Sequence, residues 1–232
     1  MPSVESLEFV GKFSLCMALA TTAHLLGTAA AGALLGARLE KVRLFFGRPL
    51  VTLTLNGVEL QVGFVPLGGS VQFQGMGPDS QSDLERVPYR SLPLAKRLLI
   101  SVSGPVLLLL LGCLLLGVAG AGASLSRGFA QPFLGAAAPL STGQALLQSL
   151  WLLLSQKSIS LAVGVVLVKA AAFNLLPLPA LNGGAFLLEL LGSRLSAGQI
   201  QKIQTIGLLP VMLLFVGWIA AFTVFLWGLV FS

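Results

Sequence analysis

Between Arg97 and Arg127 the chain carries no acidic or basic side chain, and apolar residues fill most of the interval. At 1.5 Å per residue a helix of that length exceeds the ~30 Å hydrocarbon thickness of a bilayer. A water-soluble fold would have to wrap such a run in polar chain, and this sequence has too little. Charged residues make up 9% of its 232, against 56% hydrophobic, where soluble domains carry about 25% charge. A soluble enzyme is excluded. The expected fold is an α-helical polytopic membrane protein forming a single domain over 1–232, with the lipid bilayer as its first partner.

Apolar runs at 13–37, 98–123, 158–188 and 203–231 predict about four transmembrane helices, the third kinked by Pro177 and Pro179 and interrupted by Lys169. The first is too long for a cleaved signal peptide. Trp227 in the fourth suits a membrane interface. The segment 128–156 is uncharged too, but Pro132, Pro139, Ser141, Thr142, Gln144 and Gln148 dilute its apolarity. It reads as interfacial or re-entrant, with a helix over 144–156 and a fifth crossing as the alternative.

The formal charge is +6, and its distribution points to topology rather than to nucleic acid, which is not expected as a partner. Arg38, Lys41, Arg43, Arg48, Arg86, Arg90, Lys96 and Arg97 all fall between the first two runs, whereas 124–157 holds only Arg127 and Lys157. Lys/Arg excess stays cytoplasmic. The loop 38–97 is therefore expected in the cytoplasm and both termini on the opposite side, in a bacterial inner membrane. Within that loop, Val51 to Leu55 and Val58 to Val65 flank Asn56-Gly57, the dipeptide suited to a type I′ hairpin turn. A further short strand is expected over 70–74, then an irregular linker over 78–93. Glu40 and Lys41 read as a solvated helix end, and 80–86 as a solvated stretch. Cys16 and Cys113 lie in apolar runs and read as small core residues.

Three local patterns follow one another in order. The first run contains His24-Leu-Leu-Gly-Thr28 and then Gly36. The hairpin is followed by Val65-Pro-Leu-Gly-Gly-Ser70, and the second run opens with Ser103-Gly104-Pro105. The third closes with Asn174-Leu-Leu-Pro177-Leu-Pro179-Ala-Leu-Asn182-Gly183-Gly184. Taken together the chain resembles the site-2 protease family of intramembrane zinc metalloproteases over nearly its whole length. Each pattern alone is common, since small residues and prolines are tolerated where membrane helices pack; their joint order carries the resemblance. That family places His-Glu-x-x-His in the first span, a β-hairpin with a Pro-Leu-Gly-Gly turn after it, and Asn-x-x-Pro-x-Pro-x-Leu-Asp-Gly-Gly in the third. It often inserts a PDZ domain between the second and third spans, an interval too short for one here.

Zinc hydrolysis needs three protein ligands, an open position for water and a carboxylate to take the water's proton. Aligned on the resemblance, the family's two histidines, glutamate and aspartate fall on His24, Thr28, Leu25 and Asn182. Only His24 keeps its residue, and it is the sole histidine in the chain. Thr28 and Asn182 offer weak oxygen donors, and Leu25 accepts no proton. Neither a metal nor another cofactor is expected. His24 then reads as a hydrogen-bonded packing residue, with Asn182 as its partner, or as a partner-binding or proton-sensing group. Lys169 needs a partner inside its span: a backbone carbonyl or polar side chain, an acid on another subunit, or a place in a functional pathway.

The resemblance thus implies a pseudoprotease that binds or scaffolds a membrane protein or a transmembrane segment. Asn174, Pro177, Pro179, Asn182 and Lys169 are the partner-binding candidates, and the hairpin 51–65 offers an edge strand. An active metalloprotease with an atypical metal site and a structural subunit of a larger membrane complex are the alternatives.

Overall fold

The computed structural model describes residues 4–76 and 89–231. Among the described residues, six α-helices, two short 3-10 turns and one four-stranded sheet make up the fold. The first helix, α1 (Val4–Leu35), ends where Gly36 takes a left-handed φ of 93°, the usual glycine stop. The chain then enters β1 (Leu39–Phe46), so Glu40 and Lys41 lie in a strand and are not a helix end. Lys41 is paired with Glu59 at 3.4 Å across the neighbouring strand.

The predicted hairpin is present as β2 (Val51–Leu55) and β3 (Val58–Val62). Asn56 and Gly57 both have positive φ, 50° and 79°, the signature of a type I′ turn. The last strand, β4 (Val65–Phe73), starts earlier than expected and takes in the Pro-Leu-Gly-Gly turn. Gly69 makes this pairing possible: a Cβ there would meet the Arg43 carbonyl and lie 2.6 Å from Leu25 Cδ1. Strand order is β2-β3-β1-β4, with β1 parallel to β3 and antiparallel to β4. The sheet is tied to the helices at β4. The Phe73 ring fills the space left by Gly32 on α1 and stacks on Tyr89 at 5.6 Å, and both aromatics are buried with Ala37, Leu92 and Ile100. Of the expected 78–93 linker, residues 78–88 lie outside the described residues, as does the 80–86 stretch. Tyr89–Ser91 forms one 3-10 turn.

The second apolar run behaves differently from a straight span over 98–123. Its helix, α2 (Leu94–Ala137), is broken at Gly117, whose φ of 71° and ψ of 162° are not helical. A straight helix would hold Gly112 and Gly128 about 24 Å apart. Instead Gly112 packs on Val168 and Gly128 on Ala172, four residues apart on a single neighbouring helix. The chain therefore folds back sharply at Gly117, and 118–137 lies against that neighbour. Next, α3 (Thr142–Gln156) runs from Ala221, touched by Gly143, to the Lys12 ammonium, which donates to the Leu154 carbonyl at 3.0 Å. Trp151 on α3 packs on Phe9 and Phe225 between those points.

The third run is two helices. Helix α4 (Ile159–Asn174) is N-capped by the Ser158 hydroxyl. The loop bearing Pro177 and Pro179 then leads to α5 (Asn182–Leu191). The final helix, α6 (Ala197–Phe231), starts earlier than expected and carries Pro210. Its far end meets the start of α1 through Phe9–Phe225 at 5.8 Å and Phe13–Phe222 at 5.7 Å, so the two chain ends lie at the end of the helices opposite the sheet. Cys16 is fully buried in this aromatic core, and Cys113 half-buried. Among the described residues, Ser6–Leu35, Leu94–Ala137 and Gly198–Leu229 are long and apolar enough to cross a membrane.

Candidate functional site

His24, Leu25, Thr28 and Asn182 line one cavity of ≈ 230 Å³ at the sheet end of the helices. Its walls are the α1 turn bearing those first three residues, β4 from Gly69 to Phe73, Ile100 and Ser101 of α2, and Asn182, Ala185 and Glu189 of α5. The helices approach closely because Gly104 has no side chain. A Cβ at Gly104 would stand 2.6 Å from Thr28 Oγ1 and 2.7 Å from both Cε1 and Nδ1 of His24. The imidazole edge carrying Nδ1 therefore rests on the α2 backbone, and Nδ1 is buried without a hydrogen-bond partner.

The remaining polar groups are engaged with protein. The Thr28 hydroxyl donates to the His24 carbonyl one turn back at 3.1 Å. The Asn182 amide donates to the Ser101 carbonyl at 2.7 Å, and its side chain also reaches the His24 imidazole. Leu25 is buried against Gly69 of β4. Zinc requires imidazole, thiolate or carboxylate donors around one point, and no cluster of three such groups occurs among the described residues. One imidazole whose free nitrogen faces a glycine, one amide and one hydroxyl do not fit that ion.

Sequence reasoning did not assign Glu189 to the site. It lines the cavity and pairs with Arg97 at 2.8 Å, each side chain about one-fifth exposed. Asn182, Ala185 and Glu189 stand at i, i+3 and i+7, one face of a helix, and that spacing was the available signal. The Tyr89 hydroxyl donates to the Arg97 carbonyl at 3.4 Å. Burial, reinforced by the Glu189 charge and opposed by Arg97, pushes the Tyr89 phenol up to about 12.

Asn174, Pro177 and Pro179 do not line the cavity. The Asn174 amide donates to the Ala170 carbonyl of its own helix at 2.8 Å, and Pro179 rests on Gly207 of α6. They shape the loop before α5: Gly183 and Gly184 leave no room for a Cβ against the Leu175, Leu176 and Leu178 carbonyls.

A comparison with protein families matches residues 12–217 to the family described as Peptidase family M50. The chain belongs to peptidase family M50. No curated protein matches it. The family match runs through every element that lines the cavity, and with the apolar helices it makes this M50 chain an integral membrane protein.

Lys169 stands apart from the M50 site. Its ammonium donates to the Gln131 side-chain carbonyl of α2, and Gly128, next to Arg127, lies against the Lys169 backbone. A cation at the centre of a membrane helix costs about 3 kcal/mol, and a neutral amide leaves its charge in place.

Proposed function

We propose that this M50 chain is a catalytically inactive pseudoprotease that binds or scaffolds a membrane partner through the remains of the proteolytic site. The observation that carries the reading is the occupancy of that site by His24, Leu25, Thr28 and Asn182. No base stands beside the histidine, the second imidazole and the aspartate are replaced, and the replacing groups already bond to protein. Metal affinity and water activation are lost separately, so restoring one would leave the other missing.

What persists is a cavity beside a strand. Because β4 is an edge strand and forms one cavity wall, an extended partner segment can add to it through main-chain hydrogen bonds, with Gly69 and Ser70 presenting little side-chain obstruction. The free edge of the hairpin, β2, is at the other side of the sheet. In this reading the sheet faces the cytoplasm and both termini the opposite side of a bacterial inner membrane, with four or more segments crossing.

Metal analysis and a cleavage assay on the purified full chain test it. The expected result is less than 0.1 zinc per chain on the order expected for a site with one imidazole, and no cleavage of helical membrane substrates. One zinc per chain, lost in His24→Ala together with a chelator-sensitive cleavage activity, would replace this reading with that of an active enzyme having an atypical metal site.

A further inference from the structure

We propose that the face formed by 118–137 and α4 around Arg127 and Lys169 docks a transmembrane helix of another protein, one that carries a carboxylate at mid-depth. The first observation is the depth of the charge. Lys169 lies eleven residues beyond the Ser158 cap, about 16 Å along the helix, and the opposite limit, at Arg97, is about 20 Å further from the Gly112–Val168 contact. A lysine stem spans roughly 6 Å, too short to carry the ammonium to either surface.

The second observation is that two cations are neighbours with no acid paired to them among the described residues. Gly128, the residue after Arg127, lies against Lys169, where a Cβ would stand 3.6 Å from its Cα, and Arg127 is exposed. Among the described residues Glu8 pairs with Lys12, Glu59 with Lys41 and Glu189 with Arg97, while Glu40 sits in the sheet. Gln131 supplies one carbonyl dipole and no countercharge. Two like charges held in a low-dielectric layer attract a carboxylate strongly, because little water screens them.

The surface beside them suits a helix. Gly122, Ser126 and Ala130 recur every fourth residue and are all exposed, and a Cβ at Gly122 would meet nothing. Small residues at that interval let a second helix approach closely, bringing its carboxylate within reach of Arg127. A second copy of this chain does not meet the requirement: the described acids lie at the two ends, and its own Arg127 and Lys169 would repel their counterparts. This docking does not depend on whether the zinc site is dead.

The test uses the full chain in phosphatidylcholine vesicles with donor-labelled, designed single-span leucine-alanine peptides bearing Glu, Gln or Leu at the central position. Energy transfer is expected to report at least ten-fold tighter association of the Glu peptide than of either control, and loss of that preference in Arg127→Gln/Lys169→Gln. Lys169→Arg, which keeps the charge, retains it. Equal association of the three peptides with the wild-type chain overturns the proposal. So does a preference that survives in the double variant, one abolished by a few per cent of phosphatidylglycerol, which would assign the cations to a lipid phosphate, or Lys169-dependent transfer between two copies of the chain.

Discussion

Gly104→Ala tests whether His24 is a packing element. The new methyl would stand 2.6 Å from Thr28 Oγ1 and 2.7 Å from the imidazole, so α1 and α2 must separate by roughly 0.8 Å to restore ordinary contact, an overpacking that costs about 1–3 kcal/mol. His24→Ala removes one of the two obstacles and leaves Thr28. In that background the methyl should cost about half as much, a coupling of about 1 kcal/mol between positions 104 and 24. Equilibrium unfolding in mixed micelles, followed by tryptophan fluorescence with and without a chelator, gives all four corners of the cycle. The chelator should leave the wild-type midpoint unchanged. If the two substitutions add within about 0.3 kcal/mol, or if chelation destabilises the wild type and spares His24→Ala, the imidazole is not held by packing on Gly104 and the account of the site is wrong.

Tyr89 is the only tyrosine in the chain, so phenolate absorbance reports it alone; the transition should centre near 12 and move down in Glu189→Gln. Because the folded phenol holds its proton above the ordinary value of about 10, its contribution to stability is complete below pH 10 and is lost as pH rises from there through 12. A transition near 10 in the folded protein would refute the buried placement. Phe73→Ala removes a ring that is 2% exposed and wedged between Gly32 and Tyr89, and should cost about 3–5 kcal/mol; thermal melting with protease susceptibility at the sheet checks whether the strands detach from α1. Trp218→Phe removes the hydrogen bond from its indole to the Pro132 carbonyl, 2.9 Å long, for about 0.6 kcal/mol, and a loss above 2 kcal/mol would mean that the ring packing against Gly135 matters more than the bond.

What could be read from the sequence follows from which forces are local. The Asn56-Gly57 turn was legible because a type I′ turn demands positive φ at two adjacent positions and few residue pairs supply it. The meeting of His24, Leu25, Thr28 and Asn182 was legible through the resemblance, since the motif spacing fixes which helical turns face one another. β1 was not, because its charged residues follow a long helix and the choice of strand is made by pairing to β3 and β4, far along the chain. The break at Gly117 was hidden for another reason. Hydropathy registers only that Gly117, Gly120 and Gly122 sit among apolar residues, and the reversal depends on the φ that one of them adopts. Lys169 meets the Gln131 amide, one of the three kinds of partner open to it, and its closeness to Arg127 depends on the reversal of α2, which the sequence does not announce.

The reversal at Gly117 brings the two ends of a long excursion together: Leu115 and Leu116, just before it, rest on Gly164, one turn into α4. The chain from 118 to 156 nevertheless stays inside the bundle: Leu147 and Leu154 are buried in the same core as Phe9 and Phe225, and the Trp218 indole donates to the Pro132 carbonyl. A segment whose side chains fill the core cannot be lengthened or exchanged freely, because each change in volume is felt by the helices packed on it. Change in what this segment presents to its surroundings is therefore confined to its exposed side chains, Arg127 among them.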